Sequence, residues 1–294
     1  MEPKMIGISA ALGSAASWAV GSILFKRIGE TVTPFGMTLS KGIVSIFLLG
    51  AVLLFIGYDS ISTSSVIMLC ISGVLGITIG DTLFFAALRD LGPNTLIVFF
   101  MIGQIMTALL AVVFLGEIPP LKAWVGIVMT IIGIATVLWI KIMGEGGKGA
   151  TGIRGIILGA LFMISMSFSV IIAKPALASM STIWATFIRM TAGTLGMLAF
   201  GMATRKVGEW LNPLRETKII LFFIASVCVV TFGGFWLSIV AIKYVDVAIA
   251  NTVGATEPLF IIPLALIYLK ERISALEILG TLLAVCGVIL ICTS

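Results

Sequence analysis

Apolar runs of about twenty residues follow one another from end to end of the chain, interrupted by short stretches carrying charge, proline or glycine. Breaking the sequence at those interruptions gives spans near 5–25, 35–57, 65–88, 94–115, 120–140, 153–173, 182–203, 218–242, 247–269 and 275–292. A helix rises about 1.5 Å per residue, so roughly 20 apolar residues cross the hydrocarbon of a bilayer. The pattern predicts an all-α integral membrane protein of ten transmembrane helices. The first run, Met5 to Phe25, is longer than the apolar core of a secretory signal and has no convincing cleavage site before the next span, so it is expected to stay as the first helix. Pro120 suits the first turn of the fifth span, and Ser274 with Glu277 reads as a capping box opening the tenth.

Composition strengthens this reading. Of 294 residues 60% are hydrophobic and 11% charged, with a mean hydropathy of +1.24. Ten crossings leave no room for a sizeable soluble domain. The net charge of +5 is scattered over loops and helix ends, which suits lipid headgroups and gives no nucleic-acid signal. The four cysteines, Cys70, Cys228, Cys286 and Cys292, lie inside apolar runs, and the chain has neither histidine nor CxxC. They read as packing residues, with no metal site and no cofactor expected. Walker, HExxH and GxSxG sequences are also missing, so the expected protein is not an enzyme and draws its energy from gradients.

The stretch Gly144-Glu145-Gly146-Gly147-Lys148-Gly149 has linker composition and divides the spans five and five. The expected organisation is a first repeat at 1–143, a linker at 144–152 and a second repeat at 153–294. A shift of 148 superposes Gly7 on Gly155, Ser17 on Ser165, Lys26 on Lys174, Thr38 on Thr186 and Lys41 on Arg189. Beyond the second span a shift of 154 superposes Ser72 on Ser226, Gly80 on Gly234, Arg89 on Lys243, Glu117 on Glu271, Gly126 on Gly280 and Gly133 on Gly287. Each half has an odd number of spans, so the second must cross in the opposite sense. This is the inverted repeat through which many secondary transporters reach alternating access.

Certain residues carry a resemblance over essentially the whole chain. They are Phe114-Leu115-Gly116-Glu117, Glu257-Pro258, Tyr268-Leu269-Lys270-Glu271 and the basic residues early in the second and seventh spans, Lys41 and Arg189. The chain resembles the drug/metabolite transporter superfamily, in its branch of two tandem EamA domains. That resemblance implies ten helices around a cavity shared by both halves and export of amino acids, other metabolites or drugs; related branches carry nucleotide sugars and sugar phosphates. One departure is Gln104, where the family often has a proline matching Pro258.

The polar residues inside the spans are the candidates for chemistry. Glu257 lies near the middle of the ninth span, where an ionised carboxylate costs several kcal/mol unless paired or hydrated. It is a candidate proton carrier, and Pro258 removes a backbone donor beside it. The structural alternative is a hydrogen bond that fixes a kinked helix. Asn251, Thr252 and Thr256 line adjacent faces leading to Glu257, for solute or for interhelical hydrogen bonds. Asp81 in the third span, near Phe84, either faces the cavity or pairs with Lys41 or Arg89. Lys41 and Arg189 sit about 9–10 Å inside their helices, either snorkelling or ion-paired, or binding an anion or gating. Gln104, Ser165, Trp18 and Trp236 complete the cavity candidates, whereas Trp124, Trp139 and Trp210 near span ends read as interfacial belt residues.

The expected function is export or exchange of a small organic metabolite such as an amino acid, by a multi-pass protein of the cell membrane whose partners are the solute and surrounding lipids. The alternative is a multidrug or organic-cation efflux carrier, which would need a cavity dominated by Glu257 and Asp81. Outside the deep positions, connections after odd-numbered spans hold 12 Lys and Arg against 4 on the other side. The positive-inside rule then puts both termini outside, although relatives are usually drawn with cytoplasmic termini.

Overall fold

The computed structural model describes residues 2–28, 31–56, 62–87, 90, 103, 106–144, 153–212, 217–254, 256–257, 259–260 and 275–292. Among these the regular structure is entirely helical. The helices are α1 (Pro3–Ile28), α2 (Pro34–Ile56), α3 (Thr63–Ala87), α4 (Met106–Leu115), α5 (Leu121–Gly144), α6 (Ile153–Ala176), α7 (Thr182–Ala203), α8 (Val207–Leu211), α9 (Ile220–Tyr244), α10 (Val247–Gly254) and α11 (Ala275–Cys292). Local signals explain several boundaries. Pro34 occupies the first turn of α2, where Thr33 Oγ1 accepts from Gly36 N at 3.2 Å, and Ser62 accepts from Ser65 N at 3.2 Å to cap α3. Gly116 ends α4 in the left-handed region at φ 65°, a turn that favours glycine.

Differences from the hydropathy reading sit at the ends. α5 runs on through Gly144, taking the first residue of the expected linker into the helix, and α6 continues through Lys174, Pro175 and Ala176. Apolar count alone does not see that amphiphilic residues extend a helix past the hydrocarbon. The short α8 was not expected, and it buries Trp210 to 3% exposure by stacking on Phe35 at 5.1 Å and against Phe200 at 6.1 Å. Trp210 is therefore a packing residue and not part of an interfacial belt. The fourth and ninth spans are described only in part, with 94–102 and 261–269 outside the described residues.

Five helices, α2, α3, α6, α7 and α9, are each long and apolar enough to cross a membrane. Their outer faces are apolar and uncovered: Phe47 is 75%, Leu54 84% and Phe55 90% exposed. In water such a surface would drive association; in a bilayer it meets chains as apolar as itself. Inward faces pack through small residues. On α5 a Cβ at Gly126 would lie 2.7 Å from the Gly287 carbonyl oxygen of α11, so the two backbones touch.

Interior contacts come in pairs related by the two register shifts. Gly21 meets Val230, and Ser169 meets Gly76; Trp18 lies on Gly234, and Met166 on Gly80; Ser45 bonds Thr231, and Gly193 lies against Ile77. Two π-helical segments also correspond, Val74–Asp81 in α3 and Val229–Trp236 in α9. A π-helical turn holds an extra residue and shifts the side chains after it around the axis, a distortion common at functional sites. The helix ends gather at two faces. At one, Gly7 packs on Val245, Ser65 bonds Ser179 at 2.8 Å and Lys243 Nζ donates to Met180 O at 2.7 Å. At the other lie the Phe35, Phe200 and Trp210 stack and the Arg154–Asp90 pair at 3.4 Å.

Candidate functional site

The centre of the bundle holds an ion pair between Lys41 of α2 and Asp81, the last residue of the π-helical segment of α3. Both are almost fully buried, at 2% and 3% exposure. Lys41 Nζ also stands 4.5 Å from the Phe235 ring centroid and 5.9 Å from that of Phe85. Two charges removed from water are costly, and their mutual attraction with the electron-rich ring faces offsets that cost. Of the readings open for Lys41, the side chain follows the ion pair inward rather than reaching for the membrane surface. Phe235 is itself the residue that the shift of 154 places on Asp81. The two halves are thus unequal here: an acid in the first, an aromatic ring in the second.

Arg189 of α7 is the register counterpart of Lys41, each seven residues past the start of its helix. Its Nη2 donates to Ser169 Oγ at 3.0 Å, and its buried Nε has no hydrogen-bond partner among the described residues. Asp81 lies within electrostatic reach, so one carboxylate serves two cations. The Arg189 backbone is held against Gly73 of α3, where any side chain would collide. Beside it, Ser72 and Ser169 hydroxyls donate to each other's carbonyls at 2.6 and 2.7 Å, locking α3 to α6.

The other candidates divide. Trp18 packs edge-on against Phe235 at 4.9 Å, and Phe84 lies against Phe85 at 5.1 Å, so both belong to the aromatic wall around the ion pair. Ser165 is buried with its hydroxyl donating to Leu75 O at 2.6 Å, and Trp236 Nε1 donates to Thr182 Oγ1 at 3.0 Å, at the start of α7. Both are engaged in packing helices. Thr252 and Thr256 donate within their own segment, to Ala248 O and Val253 O, each at 2.7 Å. Asn251 and Glu257 are half-buried. Gln104 and Pro258 lie outside the described residues.

A second charged site escapes the reading of spans because its members sit just beyond them. Glu117, past the end of α4, pairs with Lys174 of α6 at 3.4 Å. Glu117 Oε2 accepts from Val247 N, the first residue of α10, at 2.6 Å. Lys174 Nζ donates to the carbonyls of Ile242 and Val245 at the end of α9, at 2.6 and 2.8 Å. The acid thus meets a helix N-terminus and the cation a helix C-terminus, as the helix dipoles favour. Burial lifts the Glu117 carboxyl above its ordinary range, against the pull of Lys174 and the Val247 N–H, and Asp246 adds to the lift. The signal that could have found this site was the pair of register matches, Lys26 with Lys174 and Glu117 with Glu271.

A bundle with apolar outward faces, small-residue contacts and a buried charge cluster is that of a multi-pass membrane protein. The chain belongs to the EamA-like transporter family, which matches it twice, at residues 5–139 and 153–293. It is 24% identical over 288 residues to an uncharacterized transporter from Archaeoglobus fulgidus, covering 98% of each chain. The fold is also similar to one solved crystal structure, with a TM-score of 0.75 at 17% identity, covering 98% of this chain and 96% of the other.

Proposed function

We propose that this chain is a secondary transporter of the cell membrane that exports or exchanges small organic metabolites, amino acids or similar solutes. It works by alternating access between two inverted five-helix repeats, 1–143 and 153–294, joined by the linker 144–152. One observation carries the reading: the buried Lys41–Asp81 pair touches Phe235 of the second half and lies within reach of Arg189, so charge is concentrated where the halves meet. Buried charge inside a membrane bundle is expensive and marks solute or ion pathways by default. The paired contacts and matching π-helical segments support two halves built alike, which is what rocking about a shared site needs.

The cluster also favours one class of solute. Lys41 and Arg189 against Asp81 leave one positive charge in excess among these three groups. A solute carrying a carboxylate complements that balance, whereas an organic cation would compete with Lys41 for Asp81. Glu257, in the ninth span, is the coupling carboxylate in this reading, with Pro258 as the pivot beside it.

Purified protein in liposomes, screened for counterflow of labelled amino acids, sugars and organic cations, tests the proposal. Saturable counterflow of zwitterionic amino acids is expected, and Arg189→Gln should weaken it at least tenfold. Counterflow confined to organic cations would replace this reading with multidrug efflux, and flux without saturation or counterflow would point to a channel. Glu257→Gln should abolish accumulation against a gradient and spare counterflow, which moves no net proton.

A further inference from the structure

The Glu117–Lys174 contact joins three separate pieces of chain at one face of the bundle: the end of α4, the end of α6 and the turn between α9 and α10. Every hydrogen bond in it goes to a group that the helix ends leave open. Val247 N–H is one of the first donors of α10, and the Ile242 and Val245 carbonyls are among the last acceptors of α9. If α4 or α6 moved away from the α9–α10 corner, these groups would need water. Opening the contact would therefore exchange each of these protein hydrogen bonds for one to solvent. The same face carries Lys243 Nζ donating to Met180 O and the Ser65–Ser179 bond, so α3 and α9 are drawn to the turn after α6 there as well.

We propose that Glu117 and Lys174 form the latch that closes this face of the transport path. This rests on the transporter reading and deepens it by naming the closing contact. The latch recognises helix ends, not only charge. A plain ion pair tolerates exchange of its partners, but here an exchanged lysine at 117 would face a donor and an exchanged glutamate at 174 would face two carbonyls.

The other half cannot repeat the contact in full. The register shifts place Lys26 on Lys174, Glu271 on Glu117 and Pro93 on Val247, and a proline has no N–H to give. The donor that Glu117 captures is missing from that counterpart.

Protonation is linked to the latch with a definite sign. The groups acting on Glu117 are Lys174 from α6, Asp246 from the turn after α9 and the Val247 N–H of α10. Burial holds the closed carboxyl above its ordinary range, so the closed face binds a proton more tightly than an open, hydrated one. Acid on this side thus favours closure, and rising pH favours opening.

The test uses full-length protein in liposomes with Cys70, Cys228, Cys286 and Cys292 replaced by serine, and Asn251→Cys as reporter one turn inside the latch. A membrane-impermeant maleimide is added from the face that carries Glu117. Glu117→Ala and Lys174→Met should each raise the labelling rate at least fivefold, and the exchange Glu117→Lys with Lys174→Glu should not restore the parent rate. Maleimide reacts with the thiolate, so any cysteine labels faster at higher pH, and each rate is divided by that of the same variant unfolded in SDS at the same pH. On that ratio Glu117→Gln, which keeps an acceptor for Val247 N–H without charge, should stay slow at every pH, while the parent rises with pH. Parent-like labelling in well-folded Glu117→Ala and Lys174→Met, or rescue by the exchange, overturns the latch. Should those variants not fold, a parent ratio that ignores pH, or a pH dependence of the ratio kept in Glu117→Gln, overturns it equally. Labelling that shifts as expected, with the protein that keeps Asn251 showing no counterflow of any solute, leaves the latch standing and removes the transporter reading.

Discussion

At the scale of single residues, the protein places its most expensive atoms where two helices and an aromatic wall can receive them. Lys41 and Asp81 each satisfy the other, and removing one strands its partner in a medium that solvates charge poorly. Asp81→Asn should therefore cost about 3–5 kcal/mol, the range for breaking a buried pair from one side, seen as a marked fall in the melting temperature in detergent. Replacing both, as Lys41→Met with Asp81→Leu, should recover part of that stability, because Lys41 no longer stands unpaired while Arg189 still loses the carboxylate within its reach. Transport should stay lost in the double variant if the pair belongs to the solute path. A double variant no more stable than Asp81→Asn would show that the pair supports the fold through more than mutual neutralisation.

At the scale of elements, close backbone approach does the work that the hydrophobic effect does in water. Lipid is as apolar as leucine, so helices gain little by hiding leucines from it, and contact depends on how near two backbones come. α5 and α11 meet where Gly126 faces Gly287 and Gly133 faces Gly280 and Ala284. Gly126→Leu should push these helices apart, because two of the three nearest atoms it meets, Gly287 O and Ile291 N, are backbone and cannot turn aside. The expected outcome is poor recovery of monodisperse protein on size exclusion. Leu279→Ala, on the exposed face of α11, should leave recovery unchanged and serves as the control.

At the scale of the whole molecule, orientation is open to measurement. The excess of Lys and Arg, 12 against 4, lies on connections after odd-numbered spans. The face that carries the Phe35–Trp210 stack and the Arg154–Asp90 pair is then cytoplasmic, and the Glu117–Lys174 latch faces outward with both termini. Reporters that mature only in the cytoplasm should be silent when fused to either terminus and active when inserted between Gly146 and Gly147. Active terminal fusions would reverse the assignment and turn the latch to the cytoplasm.

How much of this was legible beforehand follows from the range of each interaction. Hydropathy is additive along the chain, so the apolar helical segments and the register matches could be read from residues taken in order. The deep polar residues were visible too, because a charge inside an apolar run is conspicuous on its own. Which reading applied to each was not visible. Lys41 could snorkel or pair until α3 brought Asp81 to it, and Trp210 looked interfacial until α8 folded it between Phe35 and Phe200. The Glu117–Lys174 latch joins residues 57 positions apart to backbone groups that have no residue identity to read. Sequence alone determined what must be buried in lipid and what was costly to bury; only the packing of helices decided which costly groups met, since that depends on backbone approach and on the π-helical turns that aim Asp81 and Phe235.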